Sequence, residues 1–216
     1  MLTLISATPS PYARKVRIAL AEKGIPFTLQ TEVPWDSTTQ TPQYNPLEKL
    51  PVLILEDGKT AVYESHYILE WIEAKYPDRT PKLLPPTERV DDRLFAKQVE
   101  VVADGICDAL VLALFEKRRE HISDPWLARQ MRKVDGGLRQ LAQWVGDEGK
   151  DFLVGDDLGL ADIAIGAVCG YLAVRWPDHT WRKQYPNLEK YWANLEKRES
   201  FKKTVPSPQN MVDKIV

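Results

Sequence analysis

Leu2-Thr3-Leu4-Ile5-Ser6-Ala7-Thr8-Pro9-Ser10-Pro11-Tyr12-Ala13-Arg14-Lys15 is the stretch on which the reading of this chain turns. An apolar strand stops at a tight loop, and a serine then stands before a proline that can open a helix. Proline suits a first helical position because the N–H it lacks has no partner there anyway. Ser10 is therefore a natural N-cap, its hydroxyl facing the free amides of the first turn. The end of a strand meeting the start of a helix is where α/β folds place anion chemistry. Arg14, Lys15 and Arg17 add positive charge where the helix dipole is already positive. Two readings follow: a solvated basic face, or a positive site assembled for an anionic ligand.

Outward from this turn, short strands alternate with helices. A helical run over Pro11–Lys23 puts Val16, Ala19 and Leu20 on one face and stops at Gly24, a C-cap glycine. Phe27–Val33 reads as a second strand, followed by a loop through Pro34-Trp35-Asp36 and a weak helix near Thr38–Tyr44. Pro51–Glu56 and Lys59–Tyr63 flank Asp57-Gly58, a hairpin signal. Ser65 can cap a helix that buries Ile68, Leu69, Ile72 and Tyr76 and stops before Pro77. The order β-α-β-α-β-β-α is the thioredoxin-like arrangement.

Four prolines between Pro77 and Pro86 exclude a continued helix or a central strand, so this stretch is a linker. Everything beyond it reads helical. Thr87 can cap a long helix carrying Leu94, Val101, Val102, Ile106, Leu110 and Leu114, with Gly105 a weak point. Pro125–Val145 is amphipathic, Leu160–Val174 is apolar on every face and belongs at the centre of a bundle, and Pro186 opens a last helix. The expected fold class is α/β plus all-α. Residues 1–78 form a thioredoxin-like domain, 79–87 a proline-rich linker and 88–216 an all-helical domain.

Composition narrows the function classes. The chain has 216 residues, 44% of them hydrophobic, enough for a proper core. Its 29 basic residues nearly balance 31 acidic ones with no basic block, which argues against nucleic acid or an anionic membrane as partner. No secretory signal is visible, and the most apolar run is too short and interrupted to span a bilayer. Cys107 and Cys169 lie in apolar helical contexts and read as buried thiols in a reducing, cytoplasmic compartment. His66, His121 and His179 lack metal-ligand spacing, so no metal is expected.

A thioredoxin-like half joined by a proline linker to a helical bundle resembles the glutathione S-transferase family, and four motifs carry the resemblance. The first is Ser10, where similar bacterial and plant transferases place a serine or cysteine facing the sulfur of glutathione. Only the thiolate attacks electrophiles well, and a hydroxyl at a helix N-terminus stabilises it. Tyr12 carries a competing phenol, though two residues into the helix it reads as packing over the site. The second is Asn45-Pro46-Leu47-Glu48-Lys49-Leu50-Pro51-Val52-Leu53, resembling a family segment whose second proline is cis. There Leu50 would bond the cysteinyl unit through its main chain, as an added strand does, and Lys49 would meet the glycine carboxylate. A trans proline at a strand's first residue is the plainer alternative. The third is Glu64-Ser65-His66-Tyr67-Ile68, matching E/Q-S-x-x-I. The Ser65 hydroxyl and the helix amides would take the γ-glutamyl carboxylate, and Glu64 its ammonium. The fourth, Gly155-Asp156-Asp157-Leu158-Gly159-Leu160-Ala161-Asp162, resembles the family's cap on its buried helix, with Gly159 where serine or threonine is usual.

The resemblance implies a homodimeric glutathione S-transferase with Ser10 as the catalytic donor, glutathione as co-substrate and a hydrophobic electrophile as second substrate. Trp35, Cys107, Tyr171 and Trp176, with Tyr12, are candidates for that second pocket, against the alternative of plain core. Asp104 is a candidate for contact across the dimer, against a solvated helix charge. Three rivals stay open: a non-catalytic binding protein of the same fold, a glutathione-dependent isomerase, and a glutathione peroxidase. Arg17-Ile18-Ala19-Leu20 is similar to an isomerase segment, but Ser-Pro-Tyr-Ala replaces that class's serine- and cysteine-rich turn.

Overall fold

β1 (Leu2–Ser6), β2 (Phe27–Thr31), β3 (Val52–Ile54) and β4 (Ala61–Tyr63) form one sheet in the computed structural model, which describes residues 1–213. Spatial order is β2-β1-β3-β4, with β1 parallel to β2 and antiparallel to β3, and β3 antiparallel to β4. α1 (Pro11–Glu22), the short α2 (Thr41–Tyr44) and α3 (Ser65–Lys75) complete the expected order. The sheet is thioredoxin-like, with Leu4, Ile5, Val52 and Leu53 fully buried at its centre and Ile18, Leu20, Ile68 and Ile72 fully buried on α1 and α3. Central strands buried on both faces account for these unbroken apolar runs.

The local signals around α1 are realised in detail. Ser10 accepts from the Ala13 N–H at 3.2 Å. At the other end Gly24 takes φ +60°, its N–H bonding the Ala21 carbonyl while Ile25 N–H reaches back to Leu20. This is a Schellman closure, which needs a left-handed residue and so favours glycine. The Asp57-Gly58 hairpin is also present, though closed as a wider loop. Leu55 N–H bonds the Thr60 carbonyl at 2.8 Å, and Asp57 accepts from the Lys59 and Thr60 amides.

The second unit, Leu84–Arg198, contains α4 (Val90–Glu116), α5 (Asp124–Val145), α6 (Leu160–Arg175), α7 (Trp181–Gln184) and α8 (Pro186–Leu195). Every residue of α6 from Leu160 to Leu172 is buried, as its uniformly apolar sequence requires. α4 begins at Val90 with Arg89 as its cap, so Thr87 does not cap it, and Gly105 leaves it unbroken. Leu94 and Val101, two of the apolar residues on α4, are 61% and 62% exposed. Among the described residues no helix is long and apolar enough to cross a membrane.

The expected boundaries need one correction. The helical unit ends at Arg198, and residues 199–213 belong to the first unit. Lys214, Ile215 and Val216, the last residues of the expected helical domain, lie outside the described residues. α9 (Glu199–Lys202) and the segment after it pack on α1. This changes the reading of the basic cluster. Arg14 and Lys15 are each only 1% exposed. The Arg14 guanidinium donates to the Phe201 carbonyl and the Thr204 hydroxyl, both at 3.4 Å, and lies over the Phe201 ring. Arg17 donates to the Lys203 carbonyl at 3.1 Å. Arg14 and Lys15 are thus not solvated, and Arg14 and Arg17 hold the C-terminal segment, where carbonyls and an aromatic face replace water.

Candidate functional site

The sheet register collects the sequence motifs at one end of the first unit. Ile5 pairs with Val52 and Val52 with Tyr63, so these three form one row across the sheet. The loop to Ser10 leaves just beyond Ile5, Leu50-Pro51 enters just before Val52, and Glu64-Ser65 follows Tyr63. β2 runs parallel to β1, and the Glu32 N–H bonds the Ser6 carbonyl at 2.8 Å, so the Trp35 loop leaves from the same end. Segments far apart in sequence thereby share one sheet edge.

At Ser10 the backbone is extended (φ −64°, ψ 118°) and its N–H bonds the Ala7 carbonyl at 3.1 Å. The hydroxyl oxygen accepts from Ala13 N–H, which leaves its own proton to donate elsewhere, since a serine hydroxyl does both at once. Tyr12 stands half-buried in the first turn of α1.

Asn45 builds the second segment. It is buried, its side-chain amide donates to the Lys49 carbonyl at 2.6 Å, and its oxygen accepts from Leu47 N–H at 3.0 Å. The loop closes further through Glu48, at φ 54°, whose N–H bonds the Asn45 carbonyl. Leu50–Pro51 is cis. The Lys49 side chain is exposed and Leu50 half-buried.

At the third segment the cap is Glu64, not Ser65. Glu64 sits at φ 76°, and its carboxylate accepts from the His66 and Tyr67 amides at 3.1 and 3.4 Å. Ser65 is the first helical residue; it is buried and donates to the same carboxylate at 3.2 Å. The amides that the sequence leaves open for a ligand carboxylate are therefore met by the chain's own. Both amides reach one charged oxygen, Glu64 Oε2, while Ser65 bonds Oε1; a charged acceptor makes stronger bonds to orphan helix amides than a neutral hydroxyl does.

The second-pocket candidates divide between the units: Tyr12 and Trp35 in the first, Cys107, Tyr171 and Trp176 in the second. Trp35 is exposed and Cys107 is a buried thiol in no disulfide. Burial, reinforced by Cys107, holds the Tyr171 phenol far above its ordinary pKa, while Arg175 and Arg118 pull the other way. The Lys117 ammonium lies 4.1 Å from the centre of the Trp176 ring. Asp104 lies on α4 and is nearly buried.

Three residues that sequence reasoning gave no role prove to be scaffolding. Asn45 had a signal, since Asn-Pro marks a turn. Glu32 and Asp36 had none. Glu32 accepts from Gln30, Thr39 and Thr41 side chains and the Gln40 amide, anchoring the base of the Trp35 loop. Asp36 accepts from the Val212 amide at 3.0 Å.

Comparison with known proteins identifies the class. Residues 9–75 match the glutathione S-transferase N-terminal domain family and residues 124–193 its C-terminal domain family. The uncharacterized GST-like protein YibF of Escherichia coli (strain K12) is 36% identical over 95% of this chain and 98% of its own. A glutathione S-transferase of Methylobacterium radiotolerans, crystallised with glutathione sulfonate, is 56% identical, covers 100% of this chain and 99% of its own, and superposes with a TM-score of 0.94. One from Methylobacillus flagellatus with glutathione bound is 38% identical over 95% of this chain and 100% of its own, at a TM-score of 0.86. The chain belongs to the glutathione S-transferase family. Relatives crystallised with glutathione or its derivatives are consistent with glutathione as its co-substrate.

Proposed function

We propose that this protein is a glutathione S-transferase in which Ser10 stabilises the glutathione thiolate for attack on a hydrophobic electrophile. The observation that carries the reading is the Ser10 hydroxyl, held by Ala13 N–H at the start of α1 with its own proton left to donate. Ionisation releases the thiol proton to solvent. The sulfur lone pair then forms a carbon–sulfur bond as the leaving group departs with its bonding electrons. A hydroxyl donor and the positive helix end both favour the charged sulfur, which lowers the thiol pKa. Holding both substrates together removes much of the entropic barrier.

Leu50, Lys49, Glu64 and Ser65 position the tripeptide in this reading. The γ-glutamyl carboxylate takes over the His66 and Tyr67 amides, and the displaced Glu64 carboxylate meets the ligand ammonium. Tyr12 and Trp35 in the first unit, and Cys107 and Trp176 in the second, are each candidates for contact with the second substrate. We also infer a cytoplasmic homodimer. Val90, Leu94 and Val101 are exposed and fall on one face of α4 at helical spacing, an apolar surface suited to a second copy. Asp104 on the same helix is the candidate for contact across that dimer.

The deciding experiment is the thiolate absorbance of bound glutathione against pH, in wild type and Ser10→Ala. The wild type is expected to show a thiol pKa clearly below that of free glutathione, raised in the variant. An unchanged titration would remove Ser10 from its role and turn attention to Tyr12.

A further inference from the structure

We propose that the helical unit holds a site for an acidic aromatic or conjugated second substrate, formed by Lys117 and Arg118 after α4 and by Tyr171, Arg175 and Trp176 at the end of α6. Its role as a substrate site rests on the transferase reading above; the site itself rests on these residues alone.

Cations near a helix C-terminus are ordinary, because they answer the negative end of the dipole. Three observations go beyond that. First, the two helix ends are joined: Lys117, the residue after α4, places its ammonium over the ring of Trp176, the residue after α6. Second, Arg175 Nε and Trp176 Nε1 are buried donors with no hydrogen-bond partner among the described residues. A buried donor without an acceptor is costly, and two on consecutive residues call for an acceptor from outside the chain. Third, Tyr171 stands one turn before Arg175 on the same face of α6, and its hydroxyl is within electrostatic reach of both Arg175 and Arg118. Burial keeps that phenol protonated, hence a donor.

The nearest acid on α4 is already committed. Glu116 accepts from the Ser123 amide at 2.7 Å and pairs with Arg119 at 3.2 Å. Lys117 and Arg175 therefore leave a local positive excess beside two aromatic rings. A carboxylate on a flat body suits that set, with guanidinium, indole and phenol as donors and the rings as its stacking surface.

The test is calorimetric titration of the full-length protein with 2-naphthoate and with its neutral isostere 2-naphthamide, in wild type, Arg175→Gln and Lys117→Gln. Wild type is expected to bind the carboxylate about tenfold more tightly than the amide, since one charge-assisted bond is worth that much. Each variant should bring the two ligands to within about threefold, a loss of less than half that discrimination energy being the contrary result. Equal affinities in wild type, binding of neither ligand, or a preference that survives both variants overturns the proposal. Titrating the same preparations with glutathione separates the two readings. Glutathione binding without a carboxylate preference removes only this site. A carboxylate preference without glutathione binding removes the transferase reading and leaves the site in place.

Discussion

Asp162 and Glu32 show what single polar side chains do here. Gly159 stands at the cap of α6 and has no side chain to offer, so Asp162 takes over that work from three residues inside. It is fully buried, accepts from the Leu153 and Gly159 amides at 2.8 Å each, and receives the Tyr191 hydroxyl. The motif puts this acid in the first turn, where it complements the helix dipole; only the fold shows that it also ties Leu153 and Tyr191 to α6. Asp162→Ala strands two buried amides and should cost about 3–5 kcal/mol in chemical denaturation. A cost below about 1 kcal/mol would show that water reaches those amides. Glu32 works in the other unit. Partial burial raises its pKa, but bonds from Thr39, Gln30, Thr41 and the Gln40 amide outweigh this and hold it below the ordinary value of 4.5. Because the folded state binds this proton less tightly than the unfolded chain, the increment is present above pH 4.5 and is lost as pH falls through the lower folded value. Glu32→Gln should therefore lose less stability than wild type on acidification through that window, read by thermal unfolding across pH. A parallel acid limb in the two proteins would contradict it.

At the scale of elements, pattern and cap signals located most helices and strands, because those signals are local. Helix-to-helix contact is not local, and α4 shows the difference. The sequence places Leu94 and Val101 among the apolar residues of this helix along with Ile106 and Leu110, yet Leu94 and Val101 are exposed, while Val99, Ala103, Ile106 and Leu110 are buried. The apolar stripe is simply wider than one chain's core requires. Adjacent glycines on α5 make the same point. An ideal Cβ at Gly137 would lie 2.5 Å from Ile106 Cγ1 on α4, whereas one at Gly136 meets only Arg139, at 4.0 Å. Gly137→Ala should destabilise by about 1–3 kcal/mol through this clash. Gly136→Ala should stabilise by about 0.5–1 kcal/mol through helix propensity alone. Urea unfolding of the pair decides it, and equal shifts in both variants would mean that α4 and α5 are not in close contact at Ile106. α7 and α9 are not read from the sequence: four residues carry too few positions for a period, and neither helix has a proline in its first turn such as Pro42 in α2.

For the whole molecule, the C-terminal segment is the feature that no local pattern foretells. Beyond the Arg14 and Arg17 contacts, it continues along the first unit. The Thr8 hydroxyl donates to the Ser207 carbonyl at 3.1 Å and Gln209 donates to the Glu32 carbonyl at 3.0 Å. Asp213 then accepts from Ser37 N–H at 2.5 Å. Truncation after Val205 keeps the Arg14 and Arg17 contacts, removes these last bonds together with those to Asp36, and should cost about 1–2 kcal/mol. The amides of residues 33–39 should then exchange faster, which hydrogen exchange reads directly. Truncation after Arg198 also strips Phe201, which is fully buried, and two of the acceptors of Arg14, and should cost about 3–5 kcal/mol. Identical behaviour of the two truncations would show that the Arg14 contacts carry no weight. By itself the sequence determined the order of elements through α6, the turn at Ser10, the linker and the three motifs of the candidate site. Each depends on residues adjacent in the chain, where capping, proline geometry and periodicity act. Tertiary structure alone decided that Ile5, Val52 and Tyr63 share one row and so bring those motifs to one edge. It also turned Glu64 onto its own helix and buried Arg14 and Lys15 instead of leaving them to solvent. Those outcomes depend on strand register and on segments nearly 200 residues away, which no local energy term in the sequence can rank.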